Sequence, residues 1–164
     1  MGRQGRGWLL VGVQVVMFVV LLLLPWRTPT WTHVVLGGLI ALAGVLVLLA
    51  AMRSLGRALT PTPVPIPGAG LRTSGVYGVV RHPIYSGLLL AVLGLLVALG
   101  SAASWIWGLA MLLFFWTKSR WEDRLLHEEY GQQWEAWART TGRLVPRLTG
   151  RAGHRDGGQS SSRP

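Results

Sequence analysis

Two short polar stretches interrupt long apolar runs in this chain, and both carry residue types that bind or move charge. The first is Arg81-His82-Pro83, set inside GVYGVVRHPIYSG from Gly75 to Gly87. Pro83 suits the first turn of a helix, where its missing N–H is no loss and its fixed φ is already helical. Arg81 and His82 then stand beside a helix start whose free N–H groups attract anions. The second stretch is Glu122-Asp123, an acidic pair able to hold an ammonium or a sugar hydroxyl. A cationic pair and an acidic pair meeting at a membrane interface, beside Trp and Tyr, suit a zwitterionic or cationic ligand whose partner substrate arrives from lipid. Each stretch also has a plainer reading. Arg81-His82 would serve as a charged anchor below a helix, and Glu122-Asp123 as a solvated patch paired with Arg120 and Arg124.

The elements that must position these residues are membrane helices. The 164 residues are 51% hydrophobic and only 13% charged, with the apolar residues gathered in blocks, which excludes an ordinary soluble domain. The net charge of +10 does not point to nucleic acid, because the basic residues flank the apolar blocks as membrane topology demands. With no Cys there is neither a disulfide, nor a thiolate metal site, nor a Cys nucleophile. His33, His127 and His154 show no metal-ligand spacing and read as surface residues, so no metal is expected.

Four spans are predicted: Trp8 to Leu24, retained rather than cleaved because Pro25-Trp26-Arg27 follows it, then Trp31 to Met52, Pro83 to Leu99 and the short Trp105 to Thr117. Leu59 to Gly70, with its repeated prolines, reads as an extended linker across the membrane surface. Gly100 to Ser104 leaves room only for a tight hairpin, so the third and fourth helices are expected to be antiparallel neighbours that bring Arg81-His82 to Glu122-Asp123. Gly87, Ala91 and Leu95 offer some close packing without a sustained seam of small residues. At Lys118 the chain is expected to leave the bilayer. The spacing of Trp121, Leu125, Trp134 and Trp137 then predicts an amphipathic helix on the membrane surface, with Gly131 as a break. Beyond Thr149 the composition predicts disorder. The fold class is thus all-α, a polytopic membrane protein of about four transmembrane helices with a C-terminal amphipathic cytoplasmic segment. One domain is expected over residues 1–149, with a tail at 150–164.

The string LRTSGVYGVVRHPIYSG closely resembles the L-x-T-x-G-x-Y-x-x-x-R-H-P-x-Y-x-G signature of the isoprenylcysteine carboxyl methyltransferase family and the related phospholipid methyltransferases. EDRLLHEEYGQQWEAWARTTGRLVPRL resembles their second block: an acidic pair, a Leu, an aromatic-Gly, two spaced aromatics and an Arg shortly before Pro. The two blocks span residues 71–87 and 118–148. The resemblance implies an integral membrane enzyme that takes S-adenosylmethionine on the cytoplasmic side and methylates a carboxylate, amine or hydroxyl of a lipid-embedded acceptor. It places Tyr77, Arg81, His82, Pro83, Tyr85, Glu122 and Asp123 at the cofactor, with Arg81 and Glu122 in catalysis. Asp123 stands where a second Glu is usual, and Trp134 and Trp137 where tyrosines are common. Glu128-Glu129 is a competing acidic pair, but its closeness to Tyr130-Gly131 assigns it to the outer helix. Two alternatives are kept, an NADPH-dependent membrane reductase with a similar C-terminal half and a non-catalytic membrane scaffold.

Of the 16 basic residues only Arg27 lies in an expected outer loop, so the positive-inside rule puts both termini and the Pro-rich loop in the cytoplasm. Thr30→Cys and Ser101→Cys are therefore expected to react with an impermeant thiol reagent outside intact cells, and Ser74→Cys and Ser160→Cys to be protected. External labelling of Ser74→Cys would overturn this topology.

Overall fold

The computed structural model describes residues 2–56 and 70–147. The Leu59 to Gly70 linker up to residue 69 and the tail beyond Thr149 lie outside the described residues. Five helices follow one another: α1 (Arg3–Leu23), α2 (Trp31–Leu55), α3 (Pro83–Leu99), α4 (Ala102–Tyr130) and α5 (Gln132–Thr140), with a 3-10 turn at Gly75–Gly78 before α3. Among the described residues there are no strands, only two isolated bridges.

α1 and α2 are long and apolar enough to cross a membrane, and α3 is a shorter apolar helix. Their outer faces support that reading, because side chains such as Leu23 on α1 and Leu39 on α2 are more than half exposed, apolar surface of the kind a bilayer covers. α3 begins at Pro83 as its sequence predicts. α4 does not end at Thr117. It runs 29 residues, carrying Lys118, Glu122 and Asp123 within one continuous helix up to Gly131, whose φ of 49° breaks it. The reason is conformational: Lys118 to Glu129 is polar but contains no Gly or Pro, and polarity alone does not stop a helix. Lys118 is accordingly buried in the bundle instead of marking an exit. At the other end of α4, Ser101 and Ser104 form a capping box, with Ser101 N–H donating to Ser104 Oγ at 2.7 Å, so the hairpin after α3 is tighter than expected.

The closest packing in the bundle is between α2 and α3, not α3 and α4. Antiparallel α2 presents Gly37 and Gly44 to a seam of Gly87, Ala91, Gly94 and Ala98 on α3. A Cβ at Gly87 would stand 2.7 Å from the Leu48 nitrogen and 2.8 Å from the Gly44 oxygen, so only a hydrogen fits. The small-residue seam is therefore sustained, with Gly94 and Ala98 in the places where Leu95 had broken the pattern. Where lipid tails are as apolar as the helices, such backbone approach is what holds helices together. α3 and α4 are neighbours through side chains: Val92 and Leu96 pack with Met111 and Phe115, joined by Met17 and Leu21 of α1. A second core lies at the end of the bundle where α2 finishes and α3 begins, where Ala51 of α2, Tyr77 and Trp137 of α5 are buried together.

Gly94→Ala, whose Cβ would overlap the α2 backbone at Gly37 and Ala41, is expected to lower stability by about 1 to 3 kcal/mol through overpacking. Gly12→Ala, with nothing within 4 Å, is the neutral comparison. Thermal unfolding in detergent measures both, and equal midpoints would show that α2 and α3 can part without cost.

Candidate functional site

Three pieces of chain converge where α3 begins and the polar half of α4 runs past it, and local backbone chemistry sets each of them. Ahead of α3, Gly75 takes a φ of 62°, opening the 3-10 turn, and His82 becomes the residue preceding Pro83 in the helix start. Past α5, the chain turns back and lies parallel to Val80: Arg81 N–H donates to the Gly142 carbonyl at 2.8 Å and His82 N–H to that of Arg143 at 3.1 Å. Ser86 Oγ–H donates to the Leu144 carbonyl at 2.6 Å. These bonds satisfy donors that a helix start leaves open and carry Arg143 to the same spot as His82.

Asp123 is the meeting point. Its buried carboxylate accepts from His82 Nε2 at 2.9 Å, Arg143 Nε at 2.8 Å and Arg81 Nη2 at 3.3 Å. Glu122, on the next position of α4, accepts from the Tyr85 hydroxyl at 2.9 Å and lies 3.3 Å from His82 Nδ1. Both nitrogens of His82 thus face carboxylates, which calls for the doubly protonated ring. Burial by itself disfavours that charge, but the charge of Glu122 and the hydrogen bonds to Asp123 and Glu122 outweigh it and push the His82 pKa up to about 9. For Asp123, burial works against ionisation, yet the His82 bond and charge, the Arg143 bond and the Arg81 charge bring its pKa down to about 2. Burial, with the Glu122 charge adding to it, keeps the Tyr77 phenol protonated.

Arg81 does more than face Asp123. Its Nη1 donates to the carbonyls of Thr141 at 2.7 Å and Ala138 at 3.1 Å, fastening the end of α5, and its guanidinium lies 5.7 Å from the Trp134 ring. α5 is too short to persist alone. It is held by this cation and by Trp137, whose Nε1–H donates to the Tyr77 carbonyl at 2.8 Å.

Beside the cluster opens a cavity of about 400 Å³ lined by Arg120, Asp123, Arg124, His127, Trp134, Glu135 and Arg143. Of the seven residues the sequence predicts for the cofactor, only Asp123 lines it. Arg81, His82, Tyr85 and Glu122 are brought together behind Asp123, whereas Tyr77 and Pro83 are buried in packing. Arg81 pairs with Asp123 rather than with Glu122. Glu128 lies apart in an exposed pair with Arg3. His127 is half exposed and pairs with Glu135 across the Gly131 break, so it is a surface residue that also borders the cavity. Sequence reasoning passed over Arg143, Trp134 and Glu135 as site residues. The signal for Arg143 was its place shortly before Pro146 in the second block.

The family model of phospholipid methyltransferases matches residues 32–133, from the start of α2 into α5. The chain belongs to the phospholipid methyltransferase family. Membership makes it a membrane methyltransferase, from a family that generally uses S-adenosylmethionine and acts on lipid. No curated protein matches the chain. The matched region takes in His82, Glu122 and Asp123, while α1 and Arg143 lie outside it.

The two shifts set a pH window. His82, raised from 6.5 to about 9, gives stability that is fully present below pH 6.5 and lost as pH rises through about 9. Asp123, lowered from 3.8 to about 2, gives stability present above pH 3.8 and lost as pH falls through about 2. Thermal midpoints in detergent are expected to decline from pH 6.5 to 9, and His82→Asn to flatten that decline. A parent-like slope in the variant would assign it to another group.

Proposed function

We propose that this chain transfers a methyl group from S-adenosylmethionine to a carboxylate, amine or hydroxyl of a lipid-embedded acceptor, at the cytoplasmic end of a four-span bundle in the inner membrane with both termini in the cytoplasm. The observation that carries the reading is the cavity at Asp123, because its lining matches the groups of that cofactor. Arg120, Arg124 and Arg143 suit a carboxylate, Asp123 and Glu135 an ammonium or a ribose diol, and Trp134 the face of an adenine. Trp134 Nε1 is also buried without a partner among the described residues, a donor that a bound ligand would satisfy. The volume is in the range of small-molecule sites.

When bound, the cofactor supplies an electrophilic methyl on a sulfonium, whose C–S bond breaks as the new bond to acceptor oxygen or nitrogen forms. With a carboxylate acceptor the reaction would neutralise charge, and positioning and desolvation would matter more than activation of a nucleophile, whereas an amine or hydroxyl acceptor would also have to lose a proton. Asp123 fixes the relative places of α3, α4 and the segment after α5. Arg81 acts through it as a positioning residue. Glu122, held by Tyr85 and His82 and still partly exposed, is the group placed to meet an amine or hydroxyl acceptor and take the proton it loses. The exposed apolar faces of α1, α2 and α4 support an acceptor that diffuses in sideways from lipid while the cofactor comes from water.

Calorimetry in detergent tests the cofactor reading. S-adenosylhomocysteine is expected to bind and NADPH not to. Arg143→Ala is expected to weaken binding by about 1 to 3 kcal/mol, the usual cost of a charged hydrogen bond, and Glu128→Gln to leave it unchanged. NADPH binding without S-adenosylhomocysteine binding would replace the methyltransfer reading with a reductase one.

A further inference from the structure

Lys118 is a buried cation that none of the chemistry above uses. It is 3% exposed and sits one helical turn before Glu122 on α4, toward the membrane interior. Its Nζ donates to Gln14 Oε1 on α1 at 2.6 Å, and lies 5.1 Å from the ring centre of Tyr85, 5.9 Å from Phe114 and 6.0 Å from Phe115. Among the described residues no carboxylate comes within ion-pair distance of it, although an ammonium has three donors and the protein gives it one neutral acceptor. Buried charges are ordinarily paired, and an ionisable side chain at membrane depth is either paired or functional. Tyr85 connects the two regions, since its ring faces the ammonium while its hydroxyl binds Glu122.

The wall beside Lys118 is the part of the bundle most easily opened. In α1 only Gly7, Met17 and Leu21 are buried, and its polar ties to α4 are Gln14 to Lys118, Trp107 Nε1–H to the Met17 carbonyl at 2.9 Å, and the exposed Arg3–Glu128 pair. The Gln14 carboxamide is a neutral placeholder that an anion would displace with gain, because attraction between opposite charges grows as the dielectric falls.

We infer that Lys118 is a specificity-determining residue which takes the anionic group of a membrane lipid, a phosphodiester or a carboxylate, from the seam between α1 and α4. This rests on the reading that the acceptor comes from lipid. An anionic lipid held there places its head one turn of α4 below Glu122, so the atom to be methylated lies on the cytoplasmic side of the charge that Lys118 holds. Gln14 sets the occupancy by competing for the same ammonium.

The test is lipid retention by the full chain in detergent, without cofactor, quantified by mass spectrometry of the extract. Dioleoylphosphatidylglycerol, oleate and neutral dioleoylglycerol are offered in equal amounts at about 0.5 M salt, which screens the basic surface. The parent is expected to retain phosphatidylglycerol or oleate over dioleoylglycerol by about tenfold or more, and the preferred one tells phosphodiester from carboxylate. Lys118→Met is expected to lose the preference and Lys118→Arg to keep it. Gln14→Leu, which leaves the ammonium in place, is expected to retain the anion at least as well. A preference that survives in Lys118→Met overturns the inference. So does a parent with no preference, a result that needs no variant to fold. A chain that retains the anion through Lys118 yet fails to bind S-adenosylhomocysteine would overturn the cofactor reading and leave this one standing.

Discussion

A single buried carboxylate, that of Asp123, holds together the end of the molecule at which α3 begins. Three cations from two separate stretches of sequence reach it: Arg81 and His82 ahead of α3, and Arg143 after α5. Losing the Asp123 carboxylate would leave Arg81 and His82 buried without this counter-charge, a far larger penalty than any exposed ion pair carries. The shorter Asp side chain is consistent with this role, because it keeps the charge close to α4 while arginine and histidine make the reach. Glu122, one methylene longer and partly exposed, is left to face outward toward whatever comes through the membrane boundary.

The bundle beneath the cluster is rigid on one side and loose on the other. α2 and α3 meet backbone to backbone through glycines, whereas α1 is attached by a few side chains. That asymmetry suits a protein whose soluble ligand needs a fixed socket and whose lipid needs a way in. It also coincides with the limits of the phospholipid methyltransferase match, which begins at α2.

Much of the scaffold was legible residue by residue. Pro83 announces a helix start, Gly131 a break, and the apolar runs of α2 and α3 their own lengths. The meeting of Arg81-His82 with Glu122-Asp123 followed from the tight turn after α3. What escaped has a physical pattern. The end of α4 was misjudged because a change from apolar to polar residues reports surroundings, not backbone conformation. The α2–α3 seam was misjudged because its register depends on which helix it faces. Pairing partners were harder still: nothing local to Arg143 says that it lies beside Asp123, since a bridge between Val80 and Gly142 brings it there. For the same reason the cavity lining was mostly unread, being drawn from α4, α5 and the segment beyond them.

The bridge between Val80 and Gly142 has a consequence for biogenesis. Arg143 is made after every membrane helix described here, so during synthesis Asp123 and His82 emerge without their full set of partners. Arg81 and His82 already face Asp123 at that stage, but the third cation is missing. When the returning segment docks, Arg143 completes the cluster around the carboxylate. Completion of the site thus follows synthesis of the helices that carry it, and a ribosome that stalls before Gly142 leaves those helices with an unfinished socket.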